Sequence, residues 1–214
     1  MVGQALAGRL VELGHDVRMG SRTAGNAKAQ AWVGQAGERA SEGTFADAAA
    51  FGDVVFNATA GDASLDALAT AGTENLAGKV LVDVANILNF SEGAPPAAGA
   101  GLDESLGERI QTAFPDARVV KTLNTVNNAV MVDPAGLLPG DTGNVFLSGD
   151  DEAAKQDVAA LLHSFGWPED SVVDLGGIDT ARGPELYVAL WVRLWGVMGE
   201  VPFNVRVVAG SAPP

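Results

Sequence analysis

Apolar positions at the start of the chain fall at helical spacing. Ala5, Leu6, Leu10 and Leu13 share one face and predict a helix over residues 3–13, with Gly14 as its left-handed cap. The period then switches repeatedly. His15 to Gly20 reads as a short strand, Ala24 to Gly34 as a helix, Arg39 to Thr44 as a weak strand and Phe45 to Ala50 as a short helix. Asp53 to Ala58 is an apolar run ending in polar residues, the pattern of a buried strand. A helix over Leu65 to Ala71 leads to a second buried strand, Val80 to Val84. Ser105 to Phe114 reads as a helix, and Arg118 to Thr122 and Val145 to Ser148 as strands. Val158, Leu161, Leu162 and Phe165 share one face of the next helix. Ser171 to Leu175 is the last strand, and Thr180 to Met198 a long apolar helix.

Strands alternating with helices at this spacing predict an α/β fold, a mostly parallel sheet with helices on both faces. Glu92 to Gly101 is rich in Gly, Pro and Ala and reads as a surface loop. The tail from Ala209 to Pro214 is expected to fray.

Composition narrows the functions. With 47% apolar and 19% charged residues, the chain has the make-up of a packed globular protein. A net charge of −14 disfavours nucleic acid and anionic membrane surfaces as partners. Any phosphate site must then be built locally, from helix N-termini and a few basic residues. Without cysteine there is no thiolate nucleophile and no Cys-ligated metal, and two histidines leave little for a metal site. No apolar run is long enough to span a membrane, and the N-terminus is no secretory signal, so a cytoplasmic location is expected.

The opening segment carries the strongest chemical signal. Met1 to Val17 reads as the last third of a G-x-G-x-x-G dinucleotide fingerprint and the helix that it opens. Gly3 takes the place of the third glycine, with Val2 and Gln4 beside it at the phosphate. The strand and first two glycines of such a unit do not precede it in this sequence. The form beginning at Met1 is therefore expected to fold poorly or to bind a dinucleotide weakly unless preceding residues are restored.

The second strand ends in Gly20-Ser21-Arg22-Thr23. NAD-preferring sites usually place Asp or Glu here, on the ribose 2′-OH. A hydroxyl and a guanidinium instead suit the 2′-phosphate of NADP, with Lys28 one turn further on to assist. The alternative is that Ser21 caps the next helix and Arg22 is a solvated charge. Asn57-Ala58-Thr59 and Asn86 lie at the carboxyl ends of two buried strands, where open parallel sheets form their ligand crevice. Each suits the nicotinamide and its ribose, or merely closes a turn. Lys121 to Asn128 gathers amides and hydroxyls at a third strand end, which suits a substrate pocket. Lys121 reads more readily as salt-bridged than as a general acid. His15 and His163 read as satisfied or solvated. No acid–base constellation stands out, which fits hydride transfer between two cofactors better than hydrolysis. Leu190, Trp191, Leu194, Trp195 and Met198 form an apolar stripe that is core, a homodimer interface or a wall for a flat substrate.

The segments MVGQALAGRL, GSRT, DVVFNATAG, LVDVANILNF, VVKTLNTVNNAVM and TARGPELYVALWVRLWG resemble the NADPH:coenzyme F420 oxidoreductase-like family, whose relatives include the STEAP-type reductase domains. The resemblance implies a Rossmann-like doubly wound domain, here residues 1–149, with a small C-terminal helical extension, residues 150–214. It implies NADP as cofactor and a deazaflavin (F420) or a flavin as second redox partner. It assigns Gly3 to the phosphate loop, Ser21 and Arg22 to the 2′-phosphate, and Asn57 to Thr59 to the nicotinamide. Leu123, Asn124, Thr125 and Val126 match the segment beside the deazaflavin. The asparagine-rich 121–128 segment is closer to the STEAP-like pattern than to the F420 enzymes. Two other classes stay open, a non-catalytic NADP-binding sensor and a small-substrate dehydrogenase. The latter usually needs a larger second domain than this chain provides.

Overall fold

Two buried strands anchor the architecture. β4 (Val80–Asp83) is buried at every residue, and β7 (Arg118–Lys121) at all but its first. The computed structural model describes residues 2–89, 91, 97–98 and 103–210. Ahead of β4 lie α1 (Val2–Glu12), β1 (Val17–Ser21), α2 (Ala27–Ala36), β2 (Ala40–Thr44), α3 (Phe45–Phe51), β3 (Val54–Asn57), α4 (Ser64–Ala71) and α5 (Thr73–Leu76). β5 (Leu88–Asn89), β6 (Ala97–Ala98) and α6 (Leu106–Ala113) separate β4 from β7. Beyond β7 come α7 (Asn128–Val132), α8 (Pro134–Leu137), β8 (Val145–Leu147), α9 (Glu152–Ser164), β9 (Val172–Asp174) and α10 (Arg182–Met198).

The long elements match the expected pattern to within a few residues. Gly14 has φ 93°, the left-handed conformation expected of the cap after α1. α2 starts later than its apolar pattern predicts because Asn26 caps it, accepting from the N–H groups of Lys28 and Ala29. Ser21 is thus not the cap. Thr44 with Asp47 and Ser105 with Glu108 form capping boxes that start α3 and α6. Three short helices, α5, α7 and α8, were not expected, because four or five residues show no amphipathic period. Within the Gly/Pro-rich stretch, β6 pairs antiparallel with β5 where a loop was expected. Residues 92–96 and 99–101 of that stretch lie outside the described residues, as do residues 211–214 of the tail.

All the longer ladders are parallel. β4 lies between β3 and β7, β1 pairs with β2, and β8 pairs with β9. An antiparallel bridge between Lys121 and Ser148 joins β7 to β8, the one break from the parallel rule in the main layer. No ladder among the described residues joins β1 to β3.

Side chains alternate across the layer and build two cores. Val80, Val82 and Val120 face α1, α7 and α9 through Leu6, Val130 and Val158. Leu81 and Val119 face the other way, onto Leu68, Ile110 and Ala49. Helices therefore cover both faces, and the fold is doubly wound and Rossmann-like, with a C-terminal helix added. On α10 the buried face is Glu185, Val188 and Val192, not the expected stripe. Leu190 is exposed, while Trp191 and Trp195 stack at the flank, 6.1 Å apart.

Candidate functional site

The carboxyl ends of β1, β3, β4 and β7 form one rim, and two cavities open there. The first, of about 380 Å³, is lined at the rim by Gly3, Gln4, Ser21, Lys28, Ala58 and Thr59. The second, of about 430 Å³, is lined by Val2, Asn86, Asn124, Val126, Met131 and Trp191, among others. Ala58 and Thr59 line both. α1 points its first turn at this junction. A Cβ at Gly3 would meet the Ala58 methyl at 3.6 Å, an ordinary van der Waals contact, so α1 packs its first turn directly beside the end of β3.

The turn after β1 is held from within. Ser21 Oγ donates to Thr23 O at 2.6 Å. The Gly25 N–H donates to both carboxylate oxygens of Glu42, at 3.0 and 3.1 Å. Arg22 projects into solvent and is not among the residues lining the cavity, whereas Lys28 is. Neither has a carboxylate partner among the described residues. Two unpaired cations beside a hydroxyl are a positive spot in a chain of net charge −14. That donor set fits a 2′-phosphate.

Behind the rim lies a buried polar network. Asn57 donates from Nδ2 to Asp83 Oδ1 at 2.8 Å and to Ser64 Oγ at 3.0 Å, and its Oδ1 accepts from Thr59 Oγ1 at 2.7 Å. The Asn57 side chain is thus consumed inside the protein, and what it does for the rim is to position Thr59. Lys121 Nζ donates to Asp83 Oδ2 (2.7 Å) and Ala85 O (2.6 Å) and forms an ion pair with Glu185 Oε1 (2.9 Å). Burial pulls its pKa down, but the Asp83 and Glu185 carboxylates together outweigh this and leave it raised. With no free donor and no exposure, Lys121 is the salt-bridged residue and not a general acid. Glu185 also accepts from the N–H groups of Leu106 and Gly107, at the N-terminus of α6.

Asn86 and Asn124 bond to each other across the ends of β4 and β7. Asn86 Nδ2 donates to Asn124 O at 2.7 Å, and Asn124 Nδ2 donates to Asn86 Oδ1 at 3.1 Å. Gly61 packs on this bridge. Its N–H donates to Asn86 O, and a Cβ there would come within 2.5 Å of the Asn86 backbone. Of the 123–126 segment, Asn124 and Val126 line the second cavity, whereas Leu123 and Thr125 turn into the core. Leu123 holds φ 59°, the one left-handed non-glycine among the described residues, and this sets the tight turn that swings Asn124 onto the rim. Trp191 from α10 closes the second cavity and stacks on Phe203 at 5.5 Å.

Sequence reasoning missed Glu42 and Glu185. Glu185 had a visible signal, a lone acid on the buried face of an apolar helix, which needs a cation such as the lone Lys121. Glu42 sits on a weak strand and gave none. His163 Nδ1 pairs with Trp167 O at 2.9 Å, away from the rim. No cluster of three metal-ligating side chains occurs among the described residues. No helix there is long and apolar enough to cross a membrane.

A family model described as NADP oxidoreductase, coenzyme F420-dependent, matches residues 1–87. Among solved structures, the chain is 47% identical to a protein of Arthrobacter sp. FB24 provisionally described as an F420-dependent NADP-reductase. That match covers 97% of this chain and 95% of the other, with a TM-score of 0.90. A hypothetical protein of Sinorhizobium meliloti is 29% identical over 84% of this chain and 82% of its own, at a TM-score of 0.64. An imine reductase of Myxococcus stipitatus, in complex with NADP+, shares the fold at 18% identity and a TM-score of 0.60. That match spans 92% of this chain and 59% of the other. A comparison with curated proteins finds no match.

Proposed function

Because the chain belongs to the family of F420-dependent NADP oxidoreductases, we propose that it passes hydride between NADP(H) and a deazaflavin of the F420 type or a flavin. The observation that carries this reading is the pair of cavities meeting at Ala58 and Thr59. One has the cations and helix N-terminus that suit a phosphorylated dinucleotide. The other is lined by the apolar Val126, Met131 and Trp191 and by the Asn86–Asn124 pair, which suits the faces and edge of a flat ring.

In this reading the first-turn N–H groups of α1 at Val2, Gly3 and Gln4 take the pyrophosphate. Ser21, Arg22 and Lys28 hold the 2′-phosphate. Arg22, free in solvent, swings onto it from the turn. Ala58, Thr59 and Asn86 orient the nicotinamide half, and Asn57 keeps Thr59 in place. Asn124 and Val126 contact the second ring, while Leu123 and Thr125 shape the turn behind them. NADP(H), when bound, supplies or accepts the hydride. The protein's task is then to orient two rings and exclude water between them, and no acid–base residue is required. Residues 1–149 carry the dinucleotide, and residues 150–214 form an extension on the same domain that supplies Trp191.

The test mixes the protein and NADPH with F420, FMN or FAD in turn and follows NADPH consumption. Turnover with one of them is the expected result. Binding of NADPH without turnover with any of the three would reject the hydride-transfer reading in favour of an NADP-binding sensor.

A further inference from the structure

The two cavities at the rim differ in charge. The first is lined by two cations, Arg18 and Lys28, and by one acid, Asp16, which pairs with Arg39. The second is lined by no Lys, Arg or His among the described residues, and by one acid, Asp62. Asp62 is exposed, and it has no ion-pair partner among the described residues.

The chain around the second cavity supplies no cation either. The lining comes from residues 58–62, 84–88, 124–131 and 188–191, with Val2. Residues 40–78, 80–108, 122–154 and 183–192 hold no Lys, Arg or His, whereas acids occur in all four runs. The cations that bound these runs are engaged or turned away. Arg39 pairs with Asp16, Lys79 bonds Ala49 O, Lys155 pairs with Asp174 and Arg182 with Glu108. Lys121 is buried on its two carboxylates. Arg193 is exposed two residues past Trp191, about 200° round α10 and so on its far side.

Helix N-termini also attract anions, but those at this cavity are spoken for. In the proposed function the end of α1 holds the pyrophosphate. At α7 the N–H groups of Ala129 and Val130 already donate to Asn127 Oδ1. The Gly61 N–H donates to Asn86 O. What remains is polar but neutral. The amides of Asn86, Asn124, Asn127 and Asn128 suit carbonyl, imide and hydroxyl groups, beside apolar walls that suit ring faces.

We propose that the second cavity selects an uncharged ring compound, the chromophore of a flavin or deazaflavin without an anionic tail. Asp62 sets the preference, by repelling a phosphate or carboxylate carried on the ligand. This inference rests on the second cavity being the seat of the second ring. It divides the rim into a cationic half for the phosphorylated dinucleotide and an anion-excluding half for its partner.

Riboflavin and FMN share one ring and one ribityl chain and differ by a single phosphate, so the pair isolates the charge. The test titrates each into the protein saturated with NADP+, which blocks the first cavity, and follows flavin fluorescence. The wild type is expected to bind riboflavin more tightly than FMN by about fivefold or more at low ionic strength, and salt should shrink the gap. Asp62→Asn should narrow the riboflavin-to-FMN ratio, and Asp62→Lys should abolish or reverse it. Equal or tighter binding of FMN by the wild type would overturn the proposal. So would a ratio that neither variant moves, or a failure of both flavins to bind. The redox assignment is scored apart from this. Hydride transfer from NADPH to FMN as efficient as to riboflavin would overturn the preference and leave that assignment standing. Preferential binding of riboflavin without turnover would do the reverse.

Discussion

Lys121 is the residue on which the rim depends most, although it touches no solvent. Its ammonium joins the end of β7 to Asp83 on β4 and to Glu185 on α10. Removing it leaves two buried carboxylates facing each other without a cation. Lys121→Met is therefore expected to lose about 3 to 5 kcal/mol of stability, read from urea unfolding, more than its lost apolar contacts would explain. A loss within about 0.5 kcal/mol would show the network to be dispensable. At this scale the sequence spoke unevenly. That Lys121 is ion-paired was readable from its place at the end of an apolar strand, but its partners lie 38 and 64 positions away, at Asp83 and Glu185. Asn57 was read as a ligand contact because its type and position suit one. Only the direction of its side chain, into Asp83 and Ser64, shows that it positions Thr59.

The junction of α6 with α10 shows how one element fixes another. Arg182 opens α10 and pairs with Glu108 in the first turn of α6, where Ser105 also bonds the same carboxylate. The Arg182 hydrogen bond above all, with Ser105 behind it, lowers the Glu108 pKa from 4.5 to about 2. A carboxylate lowered in this way stabilises the fold fully above pH 4.5, and that contribution fades as the pH falls toward 2. Glu108→Gln should melt below the wild type at pH 7. The gap should narrow below pH 4.5 in melts run down to pH 3. A gap that does not change with pH would assign the loss to packing instead. The long elements were visible because an apolar period or run marks each of them. The short helices were not, since a single turn such as α7 owes its start to the Asn127 cap and its place to tertiary packing. The same Asn-rich stretch that looked like a ligand surface spends Asn127 on that cap.

Across the whole molecule, a parallel layer with helices on both faces brings four strand ends to one rim, and the two cavities meet there. Parallel order and the rim were readable from the alternation of strands and helices. That no ladder among the described residues joins β1 to β3, and that a cavity lies between them, needed coordinates. The protein's charge bears on the same rim. In a chain of net −14, an anionic cofactor is attracted only where cations are left unpaired, and in the turn after β1 Arg22 and Lys28 have no carboxylate partner among the described residues. The central claim, that this turn selects NADP by its 2′-phosphate, is tested most directly by titrating the protein and its Arg22→Ala variant with NADPH and NADH. The wild type should prefer NADPH by roughly tenfold or more, and the variant should lose most of that preference while its NADH affinity stays unchanged. Equal affinity of the wild type for the two, or an unchanged preference in the variant, would contradict the account.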